Sequence, residues 1–559
     1  MRWKQWVSRD KVWMTSSILM RFTCCQFVKN LTFSCDCSIV SFFMFCIFSM
    51  NQNTVIYKPT SLTLAFTRYG YLLRAFFAGL LIPLGFAPFH LPGLMILGMA
   101  LLFAQIKSLS LNHSFLTGFV FGLGFLGFGV SWVYVSIHDY GHLNALLSAL
   151  ITLLFVFYLA LFPGLVAVLY NRVAAKRSLL FSSFLFSSFW CLGEYLRATF
   201  LSGFPWLLLG FGQIDTPLKY VLPIIGVYGV GFLTCLASTS LVAATEVSSP
   251  KRYLWLVAFI GILLTPSILK DKEWTKISST PLSVGVIQAN LSMRDKWDES
   301  LFWQILQRYK QGVDQLIGKK QLIVMPESAI PLPESYVSDF LDTLHRQAEH
   351  AGSSVLLGIP RPTGVDENHY HNALMTLGAA KGQYLKQHLV PFGEYTPQPF
   401  EQLVHWLGVP AENLKPGKNH QPLIHVHHHP IATLICYELA YPELLRQQLP
   451  QAEWIVSISD DGWFGHSLAI YQQLQMAQVL SMQTGRYQVV SNNDGLSSII
   501  NAQGAIVASL PAFSSGILEA DLYPATGSSP WAYFGDKPAL FISMLIILLS
   551  TIHRRARDE

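Results

Sequence analysis

The sequence predicts an α/β layered domain carried on a bundle of membrane-spanning helices. Three observations point there. The chain is 52% hydrophobic and only 13% charged, and its apolar runs crowd before residue 272 and again after 537. A chain of that composition places much of itself in lipid. The stretch between has ordinary soluble composition and alternates strand-like with helix-like segments, the pattern of an α/β domain. Within it, three segments bring a reactive side chain to a strand end: Leu322-Ile-Val-Met-Pro-Glu-Ser328, Tyr384-Leu-Lys386 and Ile431-Ala-Thr-Leu-Ile-Cys436. Strand ends are rigid places to hold chemistry.

In chain order, residues 1–69 are an N-terminal extension. Five of the eight cysteines (Cys24, Cys25, Cys35, Cys37, Cys46) lie in its first fifty residues. Their spacings fit no zinc pattern. Two readings stay open: a further hydrophobic anchor around 38–50, or sequence upstream of a start at Met50, which would leave the region outside the mature chain. Residues 70–271 carry seven spans, expected at 75–89, 91–106, 115–137, 145–170, 179–196, 221–244 and 253–269. An eighth is expected at 539–552, inside a closing segment 538–559 that ends in a basic tail. Most approach the roughly 20 residues needed to cross the hydrocarbon core.

Lys and Arg fix the orientation. They gather before the first span (Arg68, Arg74), after the second (Lys107), fourth (Arg172, Lys176, Arg177) and sixth (Lys251, Arg252), and after the last (Arg554, Arg555, Arg557). The alternate loops near His90 and at 136–142 have none, and the loop after residue 196 has only Arg197 and Lys219. By the positive-inside rule both termini are cytoplasmic and residues 272–537 lie on the outer side, the periplasm of a bacterium. The loop at 197–220 contains Gly203-Phe-Pro-Trp-Leu-Leu-Leu-Gly-Phe-Gly-Gln213. It is aromatic yet broken by Gly and Pro, which suits the membrane interface better than a span. Glu194 and Arg197 precede it at i,i+3, either as a local ion pair or as a functional intramembrane couple.

The outer domain offers strands at 282–288, 322–325, 354–358, 373–377, 431–436, 454–459, 488–491 and 497–500. Helices are expected at 299–317, 334–350, 442–448 and 467–484. Several strands are apolar throughout, as when both faces of a sheet are covered.

A cysteine nucleophile needs a base or a nearby cation. Glu327 can take the thiol proton if its site is dry, and Lys386 can stabilise the oxyanion of a tetrahedral intermediate. Each residue alone has a plain structural explanation: Cys436 as a buried thiol, Glu327 as a surface carboxylate, Lys386 as a solvated lysine. Together, in this order, they resemble the nitrilase, or carbon–nitrogen hydrolase, superfamily. With the block of spans, Gly203-Phe-Pro-Trp206, Lys296-Trp-Asp298, Pro326-Glu-Ser328, His388-Leu-Val-Pro-Phe-Gly-Glu394, Cys436-Tyr-Glu438 and Trp463-Phe-Gly465, residues 70–555 resemble the apolipoprotein N-acyltransferase family.

That resemblance implies a four-layer α-β-β-α sandwich on about eight membrane helices. It implies transfer of an acyl chain from a phospholipid, typically phosphatidylethanolamine, to the α-amino group of the N-terminal diacylglyceryl-cysteine of a lipoprotein. The route passes through a thioester acyl-enzyme in a ping-pong sequence. Glu327 becomes the base, Lys386 the oxyanion stabiliser and Cys436 the nucleophile. Glu394 and Glu438 become supporting acids, Tyr437 and Trp297 substrate-binding or loop-placing residues, and Asn372 a group facing the site. It further implies a multi-pass protein of the bacterial inner membrane, acting as a monomer without cofactor.

Two departures from the family pattern stand out: Met325 where Trp is usual, and Ser459-Asp-Asp-Gly-Trp463 where Ser-Asn-Asp-Ala-Trp is usual. His425, His427, His428 and His429 read as a solvated loop, since no Cys or carboxylate completes a metal set nearby. No phosphate-cradling Gly loop and no basic patch with interleaved aromatics occur, so nucleotide and nucleic acid are not expected. The alternative function is a membrane-tethered amidase hydrolysing a small amide. A transporter would need ionisable groups along its spans, and apart from Glu194 these have none. Head-group and acyl-chain preference, lid motions and source organism are not legible.

Overall fold

The computed structural model describes residues 61–141, 143–174, 177–364, 369–402 and 414–558. The chain divides into two units, Met1–Thr67 and Arg68–Glu559, and every strand, with every helix from Pro92 onward, belongs to the second. The anchor expected at 38–50, the five early cysteines and Lys176 fall outside the described residues.

The membrane block contains α1 (Ser61–Leu80), α2 (Pro92–Ile106), α3 (Leu111–Gly129), α4 (Ala145–Ala174), α5 (Leu179–Thr199), α6 (Leu222–Glu246) and α7 (Lys251–Leu264). Among the described residues, five helical stretches are long and apolar enough to cross a membrane: Leu111–Gly129, Ala145–Ala174, Leu179–Ser202, Pro217–Glu246 and Lys251–Leu269. Three shorter apolar helices, Tyr69–Gly85, Pro92–Ile106 and Lys537–Ile552, accompany them. The span expected at 75–89 sits earlier instead. Its α-helix stops at Leu80 and only a 3-10 turn, Pro83–Gly85, follows, because Pro83 cannot donate to a helical ladder. The span expected at 115–137 ends at Gly129, where the chain breaks into short turns before a π-helical turn at Ser136–Tyr140. Small residues let the helices touch. A Cβ on Gly118 would lie 2.4 Å from the Pro163 carbonyl, and one on Gly122 2.9 Å from the Ala160 Cα. Such close small-residue contacts are how helices associate where lipid removes the hydrophobic drive.

The outer region is built on two six-stranded sheets. One has β2 (Leu282–Gln288), β3 (Leu322–Val324), β4 (Ser354–Pro362), β5 (Tyr370–Gly378), β6 (Gln383–Leu385) and β13 (Gly516–Leu522), in the order β13-β2-β3-β4-β5-β6. The other has β7 (Ile424–Val426), β8 (His429–Ile435), β9 (Trp454–Ser459), β10 (Gln488–Asn492), β11 (Ser498–Ile500) and β12 (Ile506–Ser509), in the order β12-β11-β10-β9-β8-β7. Strands β1 (Thr275–Ile277) and β14 (Ala525–Gly527) form a separate pair. Each large sheet has a parallel centre, β2-β3-β4 and β8-β9-β10, with antiparallel edges. The apolar-throughout strands of the sequence are these central ones, buried along their length. Strands β1, β7, β12, β13 and β14 were not expected, and β6 only as the strand end that carries Lys386. Most are short or edge strands without a clean alternation.

Apolar packing follows the sheets. One buried cluster joins Val284, Val286, Val324 and Leu356 to Ile431, Ile435, Val456 and Val489, strands of both sheets. A second sets Ile287, Ile323 and Val355 against α9 (Phe302–Leu316) and α10 (Ser338–His350). A third sets Leu434, Ile455 and Val490 against α12 (Ala469–Thr484), Leu445 of α11 (Pro442–Arg446), and Trp531 of α13 (Pro530–Phe534). Helix α9 shows why it forms where it does: Phe302, Ile305, Leu306, Tyr309, Val313 and Leu316 recur at helical spacing and all are buried. Each such side chain stabilises by roughly 1.5–3 kcal/mol on burial. The short helix α8 (Met293–Lys296) follows β2, and α14 (Lys537–Asp558) closes the described chain. The membrane block's own cluster reaches into this region through Tyr437, Ala440, Ala469, Met476, Val479 and Met482.

Candidate active site

Ligands of open α/β sheets gather outside the carboxyl ends of the strands, and here those ends carry the reactive groups. Glu327 stands just past β3, Lys386 past β6, Cys436 past β8, Asp460 past β9 and Asn493 past β10. The expected strand 431–436 therefore ends one residue early, and Cys436 opens a 3-10 turn, Cys436–Ala440. Cys436 has φ +53° and Ser328 has φ +46°, left-handed conformations for non-glycine residues. Each costs on the order of 1–3 kcal/mol and persists only where the surroundings enforce it.

Glu438 is the enforcer. It is fully buried, and both its oxygens are filled. Oε1 accepts from the Gln387 N–H at 2.7 Å and the His388 N–H at 3.0 Å, and Oε2 from the Ile435 N–H at 2.8 Å. The Tyr384 hydroxyl lies 3.1 Å from both oxygens. One carboxylate thereby ties the cysteine turn to the segment that bears Lys386. Burial pushes Glu438 up to about 7 against the opposing pull of its backbone donors.

Around Lys386 the bonding is dense. Its Nζ lies 3.2 Å from Glu327 Oε1 and 2.8 Å from Glu394 Oε1, with 1% of its side chain exposed. Asn372 donates from Nδ2 to both carboxylates, at 2.6 Å to Glu327 Oε1 and 3.1 Å to Glu394 Oε1. The Val390 N–H donates to Glu394 Oε2 at 2.8 Å, and the Asp460 N–H to Glu327 Oε2 at 3.0 Å. Burial alone would lower the Lys386 ammonium, but Glu327 and Glu394 outweigh it and hold the group well above the ordinary lysine range. Lys386 is therefore a fixed cation. By contrast, no hydrogen bond reaches the Cys436 sulfur among the described residues. Burial, then the Glu327 carboxylate, pushes the thiol well up, with Lys386 opposing. A thiol in that setting can act as a nucleophile only as its proton leaves.

Tyr437 faces the membrane block. Its ring stacks on Trp206 with centroids 6.5 Å apart, and its hydroxyl donates to the Gly203 carbonyl at 3.3 Å. Tyr441 donates to the same carbonyl at 3.1 Å. The loop itself is held from below. Arg197 Nη1 donates to the carbonyls of Phe204 at 2.8 Å and Trp206 at 2.6 Å, and Glu194 Oε1 accepts from the Leu209 N–H at 2.9 Å. No hydrogen bond or ion pair joins Glu194 to Arg197; each serves the loop's backbone. Trp206 Nε1 donates to Gln472 Oε1 at 2.6 Å, which fixes the loop to α12.

Glu327, Lys386, Glu394 and Asn372 thus meet directly, with Cys436 within electrostatic reach of the first three. Trp297 is not brought in: it is 47% exposed at the end of α8. The sequence reading missed its neighbour Lys296, which is buried against Asp460 and the Glu327 carbonyl. The signal was present, since Lys296 and Asp460 both lie in stretches singled out by resemblance. The four histidines hold no metal set, and among the described residues no group of three or more His, Cys, Asp or Glu could hold an ion.

This arrangement defines a nitrilase-type enzyme: residues 283–529 match the carbon–nitrogen hydrolase family model. Residues 78–240 match the model of the apolipoprotein N-acyltransferase N-terminal domain. Curated relatives match nearly end to end. The apolipoprotein N-acyltransferase of Coxiella burnetii is 36% identical over 85% of this chain and 99% of its own, and that of Methylococcus capsulatus 35% over 87% and 96%. That of Pseudomonas syringae pv. tomato is 33% identical over 85% of this chain and 95% of its own. The chain belongs to the apolipoprotein N-acyltransferase family. Its apolar helices and these relatives make it a bacterial membrane protein.

Proposed function

We propose that the protein moves an acyl chain from a membrane phospholipid, phosphatidylethanolamine in the first instance, to the α-amino group of the diacylglyceryl-cysteine that begins a lipoprotein. The observation that carries this reading is the seat of the nucleophile. Cys436 lies beside a Glu–Lys–Glu cluster, and the next residue, Tyr437, stacks on a loop of the membrane block. A site placed there can take both substrates from the bilayer surface.

Glu327 accepts the Cys436 proton as the sulfur attacks the ester carbonyl. Lys386, kept charged by Glu327 and Glu394, stabilises the oxyanion. Collapse breaks the ester C–O bond, and Glu327 returns its proton to the departing lysophospholipid oxygen. The lipoprotein amine then attacks the thioester. Its proton passes to a carboxylate, the second tetrahedral adduct collapses, and the thiol is restored. Glu438 accepts from three backbone N–H groups and the Tyr384 hydroxyl, whereas Glu327 and Glu394 pair with Lys386, so Glu327 and Glu394 serve here and Glu438 positions Cys436 and Lys386. Asn372 aligns the two working carboxylates.

In this reading the outer region, about 272–537, is a four-layer α-β-β-α sandwich in the periplasm. Support comes from the three apolar clusters, one between sheets and two between sheet and helix. The eight apolar helices all cross the inner membrane, with both termini cytoplasmic, as the Lys and Arg distribution requires. The protein works as a monomer. Intact-protein mass spectrometry after incubation with phosphatidylethanolamine tests the chemistry. A gain of one acyl chain, removed by hydroxylamine and absent in Cys436→Ala, is expected, with transfer to a diacylglyceryl-cysteine peptide. No adduct from any phospholipid would overturn the reading in favour of an amidase.

A further inference from the structure

A second buried lysine lies behind Glu327. The Lys296 side chain is 0% exposed, and its Nζ pairs with Asp460 Oδ2 and donates to the Glu327 backbone carbonyl at 2.9 Å. The Asp460 backbone N–H donates to Glu327 Oε2 at 3.0 Å. These contacts close a ring: Glu327 carboxylate to Asp460 backbone, Asp460 carboxylate to Lys296, Lys296 to the Glu327 carbonyl. The ring grips the main chain and the carboxylate of one residue at once. Asp460 is itself fixed, since Oδ1 accepts from Asn493 Nδ2 at 3.1 Å and the Gly462 N–H at 3.3 Å.

We propose that Lys296 and Asp460 are positioning residues for Glu327, a charge-balanced clamp that sets the orientation of the base. The inference rests on the reading of Glu327 as that base. An ion pair this deep contributes little net stability against apolar side chains of similar shape, so its placement calls for another explanation. Glu327 Oε1 is taken up by Lys386 and Asn372. Oε2 has the Asp460 N–H, and through that bond the clamp decides where the second oxygen points. The clamp is also neutral as a unit, so it orients without adding charge to a cluster that already holds Glu327, Glu394 and Lys386. The other ionisable groups facing this region are Cys436, Asp461, Asp494, Tyr140 and Tyr309.

Neutrality yields a signed test. Lys296→Met leaves the Asp460 charge uncompensated beside Glu327. Asp460→Asn, nearly isosteric, leaves the Lys296 charge instead. The probe is iodoacetamide, with Cys436 alkylation followed by peptide mass spectrometry from pH 5 to 10 in the detergent-purified full chain, which needs no lipid substrate. Across this range the alkylation rate follows the thiolate fraction, so its pH curve is expected to shift up by about one unit in Lys296→Met, read as an about tenfold slower rate at each pH, and down by about one in Asp460→Asn, read as an about tenfold faster one. It should return to near the parent value in the double variant. The acid limb of acyl-enzyme formation should move the same way. Acylation rates should drop about tenfold in each single variant, with the apparent KM for phospholipid unchanged. A merely structural pair would shift both single variants in one direction or neither, and that result overturns the proposal. Should the Lys296 variant fail to fold, Asp460→Asn alone decides: no downward shift sinks the clamp. A parent protein that alkylates but never acylates would overturn the proposed function while the alkylation shifts still judge the clamp.

Discussion

Two buried acid–base couples, one in each half of the molecule, are used in opposite ways. In the membrane block Glu194 and Arg197 form no ion pair and turn their hydrogen bonds to the backbone of the 203–213 loop. In the outer region Glu327 and Lys386 face each other, and Glu394 and Asn372 close the group. The first couple builds a surface for Tyr437 to stack on. The second holds a cation and two carboxylates together away from water. The difference teaches that burial of charge is not itself a mark of chemistry. What matters is whether the polar atoms are spent on the main chain or held against one another beside a nucleophile.

The comparison breaks most sharply at Lys386. Lys386→Met leaves Glu327 and Glu394 without their shared cation, and acyl-enzyme formation measured by mass spectrometry should fall by ~1,000-fold, the scale of a lost oxyanion donor. Arg197→Met should act differently. It strands the Phe204 and Trp206 carbonyls, so thermal stability in detergent should fall by several degrees, and acylation about tenfold, without a change in the pH profile. An unchanged melting point would show that the loop does not depend on Arg197.

His388 sharpens the contrast from the other side, as a half-buried ionisable ring with no counter-charge bonded to it. Burial, then Lys386, lowers it from 6.5 to about 4. The unfolded chain therefore binds more protons than the folded one between about pH 6.5 and 4. Stability should fall as pH drops through that window, by about 2 kcal/mol at pH 5. His388→Phe, which keeps the ring against Tyr441, should show a smaller loss of melting temperature from pH 7 to 5 than the parent. Equal losses would remove His388 from the account. The smallest effect is expected for Trp206→Phe, which retains an aromatic face for Tyr437 but loses the bond to Gln472. A loss of about 1 kcal/mol, seen as a small drop in melting temperature with near-parent acylation, is the expected result.

Much of the fold was legible because its central strands are apolar on both faces and bounded by turns. Strands 282–288 and 454–459 were placed to the residue. Edge strands such as β7 and β12 were not, since an edge is half-exposed and its pattern depends on what lies beside it. Helix starts at 299 and 334 slipped into 3-10 turns, as helix ends commonly do. Of the site, Glu327, Lys386 and Cys436 were marked by their positions at strand ends. Lys296 and Asp460 were passed over because a lysine and an aspartate far apart in sequence look solvated until folding buries them together.

By itself, the sequence determined the membrane block, the alternation of the outer region and which polar residues follow its apolar strands, because those follow from composition and local periodicity. Tertiary structure alone decided what each charge faces. It filled both oxygens of Glu438, left Trp297 exposed, parted Glu194 from Arg197 and closed the Lys296–Asp460 ring around Glu327. The physical reason is that a charge's role depends on burial and partners, and both are set by chain segments that lie as far as 164 residues apart in the sequence.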